Sequence, residues 1–231
     1  MDYASCIYPI CEKMGRDYGA YFNKPYHTLH TSSTISEPLG FEKTNAISYI
    51  GNLGYNRYKQ VVAIGKALRT LDTEGKPEYI DVYSAEIRPE ILAELNEENG
   101  VRFNGSVSAD KVLEIMGKSM AVIHTESFDE ITRRIVAYSV STKIADSLAS
   151  GTCMLAYGPG EVASIEYLKE NGVAFCVTSE EELTSSLKEL ITNSQKRKEI
   201  AESAVALSKK NHDGDKNGKM LKESLEEICV K

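Results

Sequence analysis

Short apolar runs bounded by glycine, proline or polar residues alternate along most of the chain with stretches whose apolar residues recur every three or four positions. The runs fall at 46–50, 79–83, 101–103, 121–124, 153–157 and 173–177, each short enough for a single strand. Between and after them, helical spacing predicts helices over 56–71, 89–99, 109–117, 163–171 and 180–192, with one more opening near Lys143. Strands apolar on both faces that alternate with helices demand a parallel sheet joined by right-handed crossovers. The predicted fold is therefore α/β: a Rossmann-like parallel sheet with helices on both faces. Ahead of it lie a helix over 2–18 interrupted by Pro9, a short strand over 24–30 and a hydroxyl-rich linker over 31–40. Behind it lie charged helical stretches, 195–210 and 216–230, split by Asn211-His212-Asp213-Gly214. This divides the chain into an entry segment, 1–40, a sheet domain, 41–210, and a closing segment, 211–231, predicted to fold back toward the entry segment.

The stretch from Tyr138 to Pro159 carries the most chemistry. Ser141 or Thr142 can cap a helix, because a hydroxyl there accepts a first-turn N–H. Ile144, Leu148 and Ala149 then share one side of the helix, with Lys143 and Asp146 elsewhere on its surface. Gly151 suits the left-handed position past the helix, a buried strand follows, and Gly158-Pro159-Gly160 ends it. Free amides, hydroxyls and a lysine at a helix start suit a phosphate. A carboxylate one turn further on suits a sugar diol.

Ligands of open parallel sheets sit beyond the carboxyl ends of the strands, so the strand-to-helix loops are the places to search. The first is Gly51-Asn52-Leu53-Gly54-Tyr55-Asn56-Arg57-Tyr58-Lys59, whose glycines admit a ligand to the backbone and whose Arg57 can fork onto a phosphate. Taken alone, such a loop is more often a plain structural turn. Others run from Ser84 to Glu86 and from Asn104 to Val107, the latter with Gly105. At the end of the 121–124 run His124 and Glu126 could face a ligand, although their ordinary roles are a hydrogen-bonded strand end and a solvated charge, and Arg133-Arg134 could contact phosphate but more often makes an exposed helix face.

The run Ser141-Thr-Lys-Ile-Ala-Asp-Ser-Leu-Ala-Ser-Gly-Thr-Cys-Met-Leu-Ala156 resembles the donor-site signature of GT-B-fold, retaining-type glycosyltransferases of the group 1, family 4 kind, usually written Glu-x-Leu-Ala-x-Gly-x-Pro. Three departures stand out: Asp146 replaces the glutamate, Cys153 replaces the proline, and Tyr138 occupies the position eight residues earlier that is commonly acidic. The resemblance implies the C-terminal, donor-binding half of a hexosyltransferase of glycan or cell-surface polysaccharide synthesis. Lys143, with Ser141 and Thr142, would hold the diphosphate of a UDP- or GDP-sugar, and Asp146 would grip the ribose. Arg57, with Lys59 second, would stabilise the leaving diphosphate beside Gly51, Asn52 and Asn56. The base would lie between Ser84 and the pair Ser106 and Val107. No cofactor or metal is implied, since paired aspartates holding a divalent ion mark a different glycosyltransferase fold. The acceptor, a glycan or lipid-linked sugar, would belong to the other half, which leaves this chain alone expected to be inactive.

The totals narrow the alternatives. A net charge of −7 and a pI near 5.3 do not suit a nucleic-acid binder. The five cysteines lack the close pairing of a zinc site and fit reduced thiols. The sequence lacks a membrane-length apolar run and a charged-then-apolar leader, which gives a cytoplasmic protein, free or peripheral at the inner face of the membrane, as the expectation. Two rivals are a nucleotide-sugar epimerase or other Rossmann-type enzyme, which would show Gly-x-Gly-x-x-Gly after the first strand, and a response-regulator-like interaction domain, which would place acidic residues there.

Overall fold

A computed structural model describes residues 3–229. The helix α1 (Glu12–Phe22) precedes β1 (Ile47–Ile50), α2 (Arg57–Thr70), β2 (Ile80–Tyr83), α3 (Pro89–Leu92), β3 (Val101–Phe103), α4 (Ala109–Lys118) and β4 (Ala121–Thr125). Then come α5 (Glu130–Val136), α6 (Thr142–Ala149), β5 (Cys153–Tyr157), α7 (Ala163–Glu170), β6 (Phe175–Val177), α8 (Leu183–Thr192), α9 (Ser194–Asn211) and α10 (Gly214–Cys229). The strands form one six-stranded sheet in the order β3-β2-β1-β4-β5-β6, and every pairing is parallel. This is the Rossmann-like sheet that the alternation predicts.

Successive strand side chains fall on opposite faces, so each central strand feeds two cores. Cys153, Leu155 and Tyr157 of β5 join Ile64 and Leu68 of α2 and Leu187 of α8 on one side. Met154 and Ala156 join Ile144 and Leu148 of α6 and Ile165 of α7 on the other. No described helix is long and apolar enough to cross a membrane.

Three predicted elements differ from the structure for local reasons. The first helix opens at Glu12, with the Cys11 sulfur accepting the Met14 N–H at 3.5 Å; Asp2, where the predicted helix began, lies outside the described residues. The strand over 24–30 reduces to one bridge between Ile7 and Tyr26. The helix over 89–99 stops at Leu92 and resumes as a 3₁₀ turn, Glu97–Asn99, because the Asn96 carboxamide caps Asn99 N at 2.9 Å and Gly100 turns left-handed at φ 72°. Val230, the last residue of the final predicted helix, also lies outside the described residues.

That turn presses on α2 through glycine. A methyl group added at Gly65 would lie 2.4 Å from the Asn99 carbonyl oxygen and 2.9 Å from that of Gly100. Replacing Gly65 by alanine should gain about 1 kcal/mol of helix propensity. Overpacking against backbone costs about 1–3 kcal/mol. The net expectation for Gly65→Ala is a lower urea midpoint; an unchanged or higher midpoint would mean that the turn gives way freely.

The closing segment touches the entry segment: the Tyr8 and Ser224 hydroxyls share a 2.8 Å hydrogen bond, and Asn217 Nδ2 donates to His30 O at 3.0 Å. The linker runs over α6 between them. Its Ser33 N–H bonds to His212 O at 2.8 Å and its Leu39 N–H to Ser150 O at 2.9 Å.

Candidate functional site

The chain runs outward from β1 toward β2 and from β4 toward β5, so the loops after β1 and β4 diverge and leave a crevice between them. A cavity of about 690 Å³ occupies it, bordered by Gly51, Asn52 and Arg57 from the β1 loop and by Ser141, Thr142, Lys143 and Asp146 at the start of α6. A neighbouring cavity of about 590 Å³ shares Gly51, Asn52 and Lys143 and adds Ser84, Ser106 and Val107. Thus ten of the twelve predicted site residues border one crevice, though up to 95 positions separate them in sequence, from Gly51 to Asp146.

The other two do not. Asn56 has a left-handed backbone and directs its carboxamide to Thr132 Oγ1 at 3.5 Å. Lys59 lies on a different face of α2 beside Tyr58, Glu180 and Thr184. Residues 57 and 59 are about 200° apart around the helix axis, so only one can face the crevice.

Arg57 borders the cavity in a forked pair, its Nε 3.1 Å from Glu126 Oε2 and its Nη2 3.1 Å from Oε1. The guanidinium carbon lies 5.4 Å from the centre of the Tyr55 ring. Glu126 is fully buried at 0% exposure, which corrects its expected role as a solvated charge. Burial pushes its carboxyl above the ordinary range, and the Arg57 bond and charge pull it back in part. The backbone also hems it in, since a methyl group at Gly158 would come within 2.8 Å of Glu126 O.

His124 is neutral. Burial, then the charges of Arg57 and Lys143, bring its pKa down to about 3, and its Nε2 lies 3.0 Å from Ser164 Oγ. Arg57, His124 and Lys143 all border the same cavity.

Two consecutive non-glycine residues, Tyr55 and Asn56, take φ values of 55° and 58° just before α2. Such strain concentrates where a loop must hold a set shape. Asn52 Oδ1 accepts the Gly54 N–H at 2.6 Å and tightens the same loop.

The start of α6 is open. Ser141 is at the cap position, but neither its hydroxyl nor that of Thr142 makes a capping bond, contrary to the expected cap. Lys143 makes no ion pair or hydrogen bond among the described residues, and its Nζ is 3.6 Å from where a Cβ at Gly51 would stand. Asp146 does not face an empty crevice with both oxygens. Its Oδ1 accepts from Ser33 Oγ at 2.8 Å, Thr34 N at 2.8 Å and Thr34 Oγ1 at 3.1 Å. Tyr138 turns away, donating to Asp17 Oδ2 at 2.7 Å.

An Asp-x-Asp pair is present, Asp213-Gly214-Asp215, but it sits at the α9–α10 junction, where Asp213 Oδ1 accepts the Lys216 N–H at 3.1 Å. Among the described residues no group of three or more histidine, cysteine, aspartate or glutamate side chains is placed to hold a metal. Tyr55 is the site residue that sequence reasoning missed, and for Glu126 what it missed is the role as buried partner of Arg57. The one available signal was position: Glu126 stands two residues past an apolar run that must be interior.

Three solved structures show what this architecture resembles. Anabaena HepE, in complex with UDP and glucose, superposes with a TM-score of 0.73 at 14% identity over 98% of this chain and 64% of that one. The pneumococcal O-GlcNAc transferase GtfA, in complex with UDP and GlcNAc, gives 0.73 at 9% over 100% and 46%. WaaG, a glycosyltransferase involved in lipopolysaccharide biosynthesis, gives 0.64 at 15% over 87% and 57%. The chain therefore spans less than two thirds of the length of each of these proteins. No curated protein matches it by sequence. A family model described as glycosyl transferase-like matches residues 56–222, well over half of the chain. The chain belongs to the glycosyl transferase-like family, and its parallel sheet is a Rossmann-like half of a GT-B fold.

Proposed function

We propose that this chain is the donor-binding half of a glycosyltransferase and that it holds a nucleoside-diphosphate sugar in the crevice between β1 and β4. The observation that carries this is the meeting of Lys143, unpaired among the described residues, with the uncapped start of α6 across from Arg57. The ends of two phosphates are triply served there: by helix amides, by an ammonium and by the guanidinium nitrogen Nη1, which Glu126 does not use. The base lies in the adjoining cavity against Ser84, Ser106 and Val107, and the ribose lies toward Asp146.

Chemistry in such a site is positioning plus charge stabilisation. As the bond from the anomeric carbon to the diphosphate lengthens, negative charge grows on the leaving oxygen, and Arg57 and Lys143 stabilise it without a proton transfer. Neutral His124 supplies no proton at working pH. No metal or cofactor is needed while two cations and a helix start share the diphosphate.

HepE and GtfA carry UDP with glucose or GlcNAc, which favours a hexosyl donor, and WaaG uses a similar architecture in lipopolysaccharide biosynthesis. The acceptor, a glycan or lipid-linked sugar, belongs to the half that the longer relatives possess, so transfer by this polypeptide alone is expected to be negligible. A position in the cytoplasm, free or at the inner face of the membrane, goes with a cytosolic nucleotide-sugar donor.

A thermal-shift titration tests the reading. UDP or GDP at ten times its Kd should contribute about 1.4 kcal/mol and raise the midpoint by about 3–5 °C. Indifference to both diphosphates, and to their hexose conjugates, would overturn it in favour of an interaction module.

A further inference from the structure

Asp146 is held from a direction that the donor-site resemblance does not anticipate. All three of its bonds fall on Oδ1, and all three come from two consecutive residues of the linker, Ser33 and Thr34. The linker is itself fixed on both sides of this pair. The Thr31 carbonyl accepts from His212 Nδ1 at 2.6 Å, the Ser33 N–H reaches the His212 carbonyl, and the Leu39 N–H reaches Ser150 O. Ile35 and Leu39 also rest on the core beneath α6. Thr34 borders the crevice cavity together with Asp146. Oδ2 has no partner among the described residues.

An aspartate is one methylene shorter than the glutamate of the resembling signature. It cannot both stay bonded to the linker and offer two oxygens to a diol. With Oδ1 occupied, the carboxylate has one oxygen to present, and three convergent donors fix which way that oxygen points.

We infer that Ser33 and Thr34 are positioning residues of the donor site: they act through Asp146, holding its carboxylate so that Oδ2 alone receives the ribose hydroxyls. This rests on the nucleotide-sugar reading above and adds the linker as a third wall of the site. Preference for a ribose diol then depends on two side chains outside the sheet domain.

The test compares UDP with 2′,3′-dideoxy-UDP, which lacks both hydroxyls, by calorimetry on the full chain. The unmodified protein should prefer UDP by about tenfold or more, the value of a hydrogen bond to a charged acceptor. In Ser33→Ala/Thr34→Val the preference should fall to about threefold or less, with dideoxy-UDP affinity unchanged. The conservative pair Ser33→Thr/Thr34→Ser should restore it. A merely structural role would weaken both ligands alike. A preference that survives in the alanine/valine variant while UDP still binds overturns this inference and leaves the nucleotide site standing. Failure of the unmodified protein to bind either ligand overturns both.

Should the double variant not fold, hydrogen exchange on the unmodified protein decides. The Thr34 amide, bonded to Oδ1, should exchange at least fivefold more slowly with saturating UDP than with saturating dideoxy-UDP. Equal rates overturn the inference.

Discussion

Arg57→Ala is expected to lower folding stability by about 3–5 kcal/mol near pH 8, because it strands a fully buried carboxylate without its partner. The deficit should depend on pH. Burial already places the Glu126 pKa above the unfolded value of about 4.3, and Arg57 is what restrains that rise. A carboxyl whose folded pKa is raised binds its proton more tightly when folded. Its stability contribution is therefore fully present below about pH 4 and is lost as pH climbs through the folded pKa. With Arg57 gone the folded pKa moves higher still, so the variant should be close to the parent protein near pH 4 and should diverge from it toward pH 8. Urea midpoints at both pH values make the measurement. The double variant Arg57→Met/Glu126→Leu should recover most of the loss, since a buried pair can be exchanged for apolar side chains of similar size, yet it should not regain affinity for diphosphates. A deficit of the same size at both pH values would show that Glu126 is not the stranded group.

Lys143→Ala should give the reverse pattern. The ammonium is exposed and unpaired among the described residues, so its loss should leave the folding midpoint within about 0.5 kcal/mol of the original. Affinity for UDP or GDP should fall about tenfold to a hundredfold, the range for a charge-assisted phosphate contact. Affinity for uridine or guanosine should not change. Calorimetry with nucleoside and nucleotide side by side separates the outcomes, and an equal loss for both would show that Lys143 supports the shape of the cavity and not the phosphate. The two variants together divide the work of the cations: Arg57 is tied into the core through Glu126, whereas Lys143 is committed to nothing else.

The sheet was legible because a strand buried on both faces has to be apolar throughout, as Cys153–Tyr157 is, and because glycine marks where such strands stop. The crevice followed from topology, which brings the ends of β1 and β4 together wherever a parallel sheet reverses its winding. What escaped were effects of partners distant in sequence. Glu126 has the composition of a surface residue, and only an arginine 69 positions earlier permits its burial. Asp146 was placed correctly on α6, but the groups that occupy its Oδ1 lie 112 and 113 positions away in a linker that carries no periodicity to read. Lys59 lies away from the crevice for a simpler reason: two residues of helix rotation turn it from the face that Arg57 occupies. The break at 93–96 turned on one asparagine side chain choosing a local carbonyl and amide over the helical ladder.

The left-handed pair Tyr55 and Asn56 has a bearing on how tightly anything can be held here. Each residue carries about 1–3 kcal/mol of conformational energy that the surrounding fold already sustains. The rim beside Arg57 is therefore moulded before a guest arrives, and little backbone freedom remains to be surrendered on entry. Exchanging Asn56 for glycine would relax the mould and shift that ordering to the moment of capture, so the guest would leave sooner although Tyr55 and Arg57 kept every atom that borders the cavity.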